Sequence, residues 1–150
     1  MVIVKLTIEH FQIALEYQIE DTISTVLQQV NQIIPQLKAI QWCELNKETI
    51  TNQIQQKHLK EMFLRTVRTA NGIFTKELID IQSVQIVIND IKRVFQIIFN
   101  QTQDQFEEIL QTESHYTKII CCKKELDHSK TFKELYGNNT KLSLKMIIEA

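Results

Sequence analysis

The chain has 150 residues, with 17 Lys and Arg against 18 Asp and Glu, a formal net charge of -1 and 43% hydrophobic residues. No Lys/Arg block is long enough for a polybasic patch, and no apolar run approaches the ~20 residues that span a bilayer, so neither nucleic acid nor a membrane is an expected partner. Only two glycines and one proline are present, so turn markers are scarce and long, mostly helical elements within a single domain are expected.

Val2, Val4, Leu6 and Ile8 alternate with Ile3, Lys5 and Thr7. After Glu9 and His10, Phe11, Ile13, Leu15, Tyr17 and Ile19 alternate with Gln12, Ala14, Glu16 and Gln18. Spacing two with one apolar face predicts two strands in a hairpin with a tight turn that contains no glycine. Asp21 or Thr22 is placed to accept from the first free amides of a helix on which Ile23, Val26, Leu27, Val30, Ile33 and Ile34 recur at three and four residues. Pro35 is expected to stop that helix, and Leu37, Ile40 and Trp42 then fit a third short strand.

Residues Glu44 to Gln56 read as a polar connector, loop with some helix. A helix is expected from about Leu59 to about Leu78, with Leu59, Met62, Phe63, Val67, Ala70 and Phe74 on one face and Gly72 inside it. Ser83 is the expected cap of the next helix, whose Val84, Val87, Ile88, Ile91, Val94, Phe95 and Ile98 form a wide apolar stripe that reads as core. From Gln103 a long helix is expected to carry Phe106, Ile109, Leu110, Tyr116, Ile120 and Leu126. A short one follows with Phe132, Leu135 and Tyr136, closed by Gly137. Lys141 to Met146 then switches to spacing two, a closing strand.

Hairpin, helix and short strand in this order make the opening of a β-grasp, the ubiquitin-like arrangement, whose last strand lies parallel to the first and between the others. Residues 141–148 are expected to fill that place. The expected architecture is therefore an α+β single domain over 1–150, with a β-grasp opening (1–45), a helical insertion of three to four helices (46–136) and the closing strand (141–148).

Candidates for chemistry are few. Glu125 and His128 have the Glu-x-x-His spacing that shares a helical face, but a di-metal bundle needs two such motifs and two further glutamates. Cys121 and Cys122 are adjacent, about 100° apart on a helix, and Cys43 is far away in sequence, so small buried hydrophobes are expected in place of a zinc site. Ser, His and Asp are present without a nucleophile elbow, and no Gly-rich phosphate loop exists. His10, His58 and His115 are scattered and read as surface positions. Asn100-Gln101-Thr102 and Asn138-Asn139-Thr140 match the glycosylation acceptor, which carries weight only in a secreted chain. The odd cysteine count and the absence of a signal-peptide pattern are those of a soluble chain with reduced thiols. No catalytic, cofactor-binding or metal residue is expected, and no small-molecule substrate.

From Ile119 to Met146, the order Cys121-Cys122-Lys123-Lys124-Glu125-Leu126, then Lys130, Phe132, Gly137, Asn139, Lys141, Leu142, Leu144 and Lys145, resembles the C-terminal part of the Kurly family, cilia- and flagella-associated proteins linked to axonemal dynein arms. Thr66, Val67, Ala70, Ile73, Phe74, Thr75 and Lys76, with Asn89, Asp90 and Ile91 through Phe99, are similar to the family's paired middle helices, and Met1-Val2-Ile3-Val4 with its hairpin resembles the family's start. The resemblance implies a non-enzymatic protein of the cilium axoneme or the cytoplasm, either structural or a factor for dynein arm assembly, acting by protein-protein binding. The alternative is a ubiquitin-like adaptor or a helical subunit of another multiprotein complex. Conjugation is not expected, because Met146-Ile147-Ile148-Glu149-Ala150 has no diglycine.

Overall fold

A computed structural model describes residues 1–76, 78–139 and 141–150, so Glu77 near the end of the expected Leu59–Leu78 helix, and Thr140 of the second glycosylation match, lie outside the described residues. The chain is α+β, with a five-stranded sheet and six α-helices among the described residues. It divides into two compact units, one built from Met1–Gln32, Ser114–Ala150 and a short segment ending at Ile79, the other from Ile33–Lys76 and Asp80–Glu113.

In the sheet unit, β1 (Val2–Ile8) and β2 (Phe11–Tyr17) form the expected antiparallel hairpin, with Ile8 opposite Phe11 and Val2 opposite Tyr17. Glu9 takes the turn position with φ 53°, which a glycine would adopt more readily. Val2, Val4, Leu6 and Ile8 are all essentially inaccessible to solvent, as the period of two requires for a strand with one face on the core. The closing strand, β5 (Leu142–Glu149), runs parallel to β1 with Val4 beside Leu144 and Leu6 beside Met146, so the two ends of the sequence are hydrogen-bonded neighbours. On its other side β5 pairs antiparallel with β3 (Lys118–Cys121), which pairs with the two-residue β4 (Lys124–Glu125). The strand order is β2-β1-β5-β3-β4.

Two expectations fail in this part of the chain. The long helix read from Gln103 to Leu126 is α5 (Asp104–Gln111), then extended chain, then the β3–β4 hairpin. Its turn is Cys122 and Lys123, both at positive φ (55° and 65°), so two side-chain-bearing residues hold a conformation usually left to Asn and Gly. The third strand of the sheet is therefore β3, and the segment at Leu37, Ile40 and Trp42 is helical.

That segment belongs to α1 (Ile23–Leu45), which continues through Pro35 where an end was expected. Ile33, Ile34, Leu37, Ile40 and Cys43 keep the helical repeat across the proline and are all buried. Proline inside a helix costs about 3 kcal/mol, while burying each large aliphatic side chain contributes about 1.5–3 kcal/mol, so the apolar stripe outweighs the lost hydrogen bond. At the other end of α1, Thr22 Oγ1 accepts from the Thr25 amide at 3.4 Å, whereas the Asp21 carboxylate accepts from the Gln18 amide. The Ile23 and Ser24 amides donate to the carbonyls of Lys130 and His128, so the segment before the short helix α6 (Phe132–Tyr136) caps α1 through its backbone. Helix α6 is itself capped by Thr131, whose hydroxyl accepts from the Glu134 amide, and ends at Gly137 with φ 82°. Phe132 is fully buried and stacks on Tyr17 at 5.8 Å between ring centres.

The helical unit contains the second part of α1, then α2 (Lys47–Asn52) within the stretch read as a connector. Helix α3 (Lys57–Asn71) carries buried Phe63, Val67 and Ala70 and gives way at Gly72 to a 3-10 turn through Thr75, so Gly72 stands just after the α-helix and not inside it. Helix α4 (Ile81–Phe99) starts three residues' reach earlier than read: Asp80, not Ser83, is the cap, accepting from the Gln82 amide. Its stripe of Val84, Ile88, Ile91, Val94 and Phe95 is buried, and Phe95 joins Phe63 and Phe106 in an aromatic cluster.

Candidate functional site

The residues singled out for chemistry do not converge. Glu125 lies exposed on β4 and His128 in the turn after it, so the helical geometry that would align them is absent. No group of three or more His, Cys, Asp or Glu is placed to hold a metal ion among the described residues. His10, His58 and His115 are exposed and lie in the β1–β2 turn, at the start of α3 and in the chain leading to β3, respectively. No helix among the described residues is long and apolar enough to cross a membrane.

The cysteines differ sharply in setting, and not as adjacent helical positions would. Cys121 points into the core of the sheet unit from β3, while Cys122 is exposed in the turn, and their sulfurs are 4.0 Å apart. Burial pushes the Cys121 thiol up, partly offset by its hydrogen bond with Tyr136, and that pairing and burial also raise the Tyr136 phenol. In the helical unit Cys43 is fully buried on α1, and desolvation pushes its thiol up to about 12. We expect a thiol reagent to label Cys122 first and Cys43 only on unfolding. The raised value also fixes a sign for stability: the neutral thiol favours the fold fully below the ordinary value of 9.0, and this contribution is lost as pH rises toward about 12. At about 1.4 kcal/mol per pH unit, the melting temperature should fall with a visibly shallower slope in Cys43→Ala over that window; equal slopes would count against burial of the thiol.

What the sheet unit does present is a surface. Along the strands the side chains facing away from the core are Gln12, Ala14 and Glu16 on β2, Ile3, Lys5 and Thr7 on β1, and Ser143, Lys145 and Ile147 on β5, with Ile120 of β3 beside Ile147 and Glu125 of β4 beside Ile120. Ile147 is 49% exposed, and Ile3 and Ile120 are half-exposed. Each edge of the sheet carries one feature that limits strand addition. The Ile79 amide donates to the Ala14 carbonyl at 2.9 Å on β2, and β4 is only two residues long. The turn at the sheet's end is held by a side-chain bond from the Tyr116 hydroxyl to the Glu9 carboxylate, and Tyr116 is tied to α1 by two hydrogen bonds with the Asn31 amide group, at 2.9 and 3.1 Å.

Residues on this face went unnoticed in the sequence because each strand's outward positions read only as the polar half of an alternation. The signal available was the pairing of Lys5 with Lys145, which becomes visible once β5 is set parallel to β1 in register. Comparison of the chain with protein-family models, curated proteins and solved structures finds no match.

Proposed function

We propose that this chain is a non-enzymatic protein-binding module built on a β-grasp, ubiquitin-like sheet, acting in the ciliary axoneme or in assembly of its dynein arms. The observation that carries the module reading is the strand order β2-β1-β5-β3-β4, with the last strand returning parallel to the first between β1 and β3. The described surface offers an open sheet face with outward Lys5, Thr7, Gln12, Lys145 and Ile147, an arrangement suited to recognition by shape and charge. The ciliary part of the reading rests on the resemblance of Ile119–Met146 and of the α3 and α4 segments to the Kurly family.

Fractionation of ciliated cells carrying a tagged full chain tests that part. The tagged protein is expected in the axoneme or in the cytoplasm beneath it, and a signal confined to mitochondria or the nucleus would overturn the ciliary assignment while leaving the module reading open. In that event the same sheet would serve as a ubiquitin-like adaptor in another complex.

A further inference from the structure

Lys5 and Lys145 sit side by side on neighbouring strands of the exposed face, and both are exposed. Like charges on adjacent strands repel, and among the described residues neither ammonium group has a carboxylate within ion-pair distance, the same-face Glu16 included. The two lysines line a recess of about 320 Å³ together with Thr7, Gln12 and Ala14. Ala14 is the smallest side chain of that row and only 6% exposed, so it forms a floor, while the lysines, the Thr7 hydroxyl and the Gln12 amide supply donors around it. One pleat along the same strands lies Ile147, half-exposed beside Ile120. A donor-lined recess next to an apolar patch matches a ligand that carries an anionic group and a hydrophobic group a short distance apart.

We propose that this recess receives an acidic side chain from an extended partner segment laid across the face of the sheet, with an apolar side chain of the same segment resting on Ile147 and Ile120. The charge complementarity selects a carboxylate-bearing peptide. The neighbouring isoleucines favour a peptide over a bare anion, and the Ile79 bond on β2 and the shortness of β4 favour the face over strand addition at an edge. This deepens the protein-binding reading and rests on it, but not on the ciliary one.

The test is titration of the isotope-labelled full chain with a short peptide of alternating glutamate and leucine, followed by amide shifts. Saturable shifts are expected at Lys5, Thr7, Gln12, Lys145 and Ile147, weakening as ionic strength rises. Affinity should fall by about tenfold or more in Lys5→Glu/Lys145→Glu and by less in Lys5→Gln/Lys145→Gln, both being exposed positions that leave the core intact. Shifts centred elsewhere, or an affinity indifferent to both double variants, would overturn the proposal. Inorganic phosphate moving the same amides at the same concentration as the peptide would overturn it too, by making the recess a simple anion site. Because the titration uses purified protein, its failure leaves cell fractionation to judge the ciliary reading separately.

Discussion

Removing residues 141–150 is expected to abolish the cooperative thermal transition of the sheet unit. Strand β5 is bonded on both sides, parallel to β1 and antiparallel to β3, so its loss opens two ladders at once and separates β1–β2 from β3–β4. It also takes Met146 and Ile148, which are 1% and 3% exposed, out of the core and uncovers Val4 and Leu6 on the strand beside them. Two buried side chains of this size contribute about 3–6 kcal/mol, a large part of the ~5–15 kcal/mol by which a domain is stable, before any orphaned backbone group is counted. Calorimetry of the truncated chain should show a broad, weak or absent transition, and amide exchange in β1 and β3 should lose its protection. A truncated chain that kept most of the wild-type melting temperature would mean that the parallel β1–β5 pairing adds little, and the β-grasp reading would fall with it.

The two ends of the chain were readable because each strand is half-buried and therefore alternates: Val2 to Ile8 and Leu142 to Ile148 announce their inward faces residue by residue. The same holds for α4, whose stripe repeats at three and four, and for α6, where Phe132, Leu135 and Tyr136 run up to a stop at Gly137. The failures have two causes: a local signal overruled by something distant, and a turn that carries no local signal at all. Pro35 is a strong stop, yet the apolar repeat on both sides of it finds a core to enter. The β3–β4 hairpin has no Gly, Asn or Asp at its turn, and its strands are too short to show a period, so Phe106, Ile109 and Leu110 extended a helical pattern into it. The start of α1 is satisfied by carbonyls more than 100 residues away in sequence, which no local pattern announces. The exposed face was legible least of all, since Lys5 and Lys145 become neighbours only through the closing strand.

Phe95→Ala should be the most damaging single substitution in the helical unit, at about 3–5 kcal/mol. Phe95 has no exposed surface and meets Phe106 edge-on at 5.3 Å, Phe63 at 5.9 Å and Phe99 at 6.4 Å between ring centres. Truncation therefore removes the hub of three aromatic contacts and leaves a void between helices α3, α4 and α5 that their backbones cannot close without shifting. Urea unfolding followed by circular dichroism should report the loss as a lower midpoint at unchanged slope, and Phe95→Leu should recover most of it. Ile97 lies two residues further on the same helix but is 54% exposed, so Ile97→Ala should stay within about 0.5–1 kcal/mol of wild type. The contrast is the informative quantity, because helix propensity favours alanine at both positions and cannot explain opposite outcomes. Similar costs at the two sites would place the centre of this unit somewhere other than the Phe63–Phe95–Phe106 cluster.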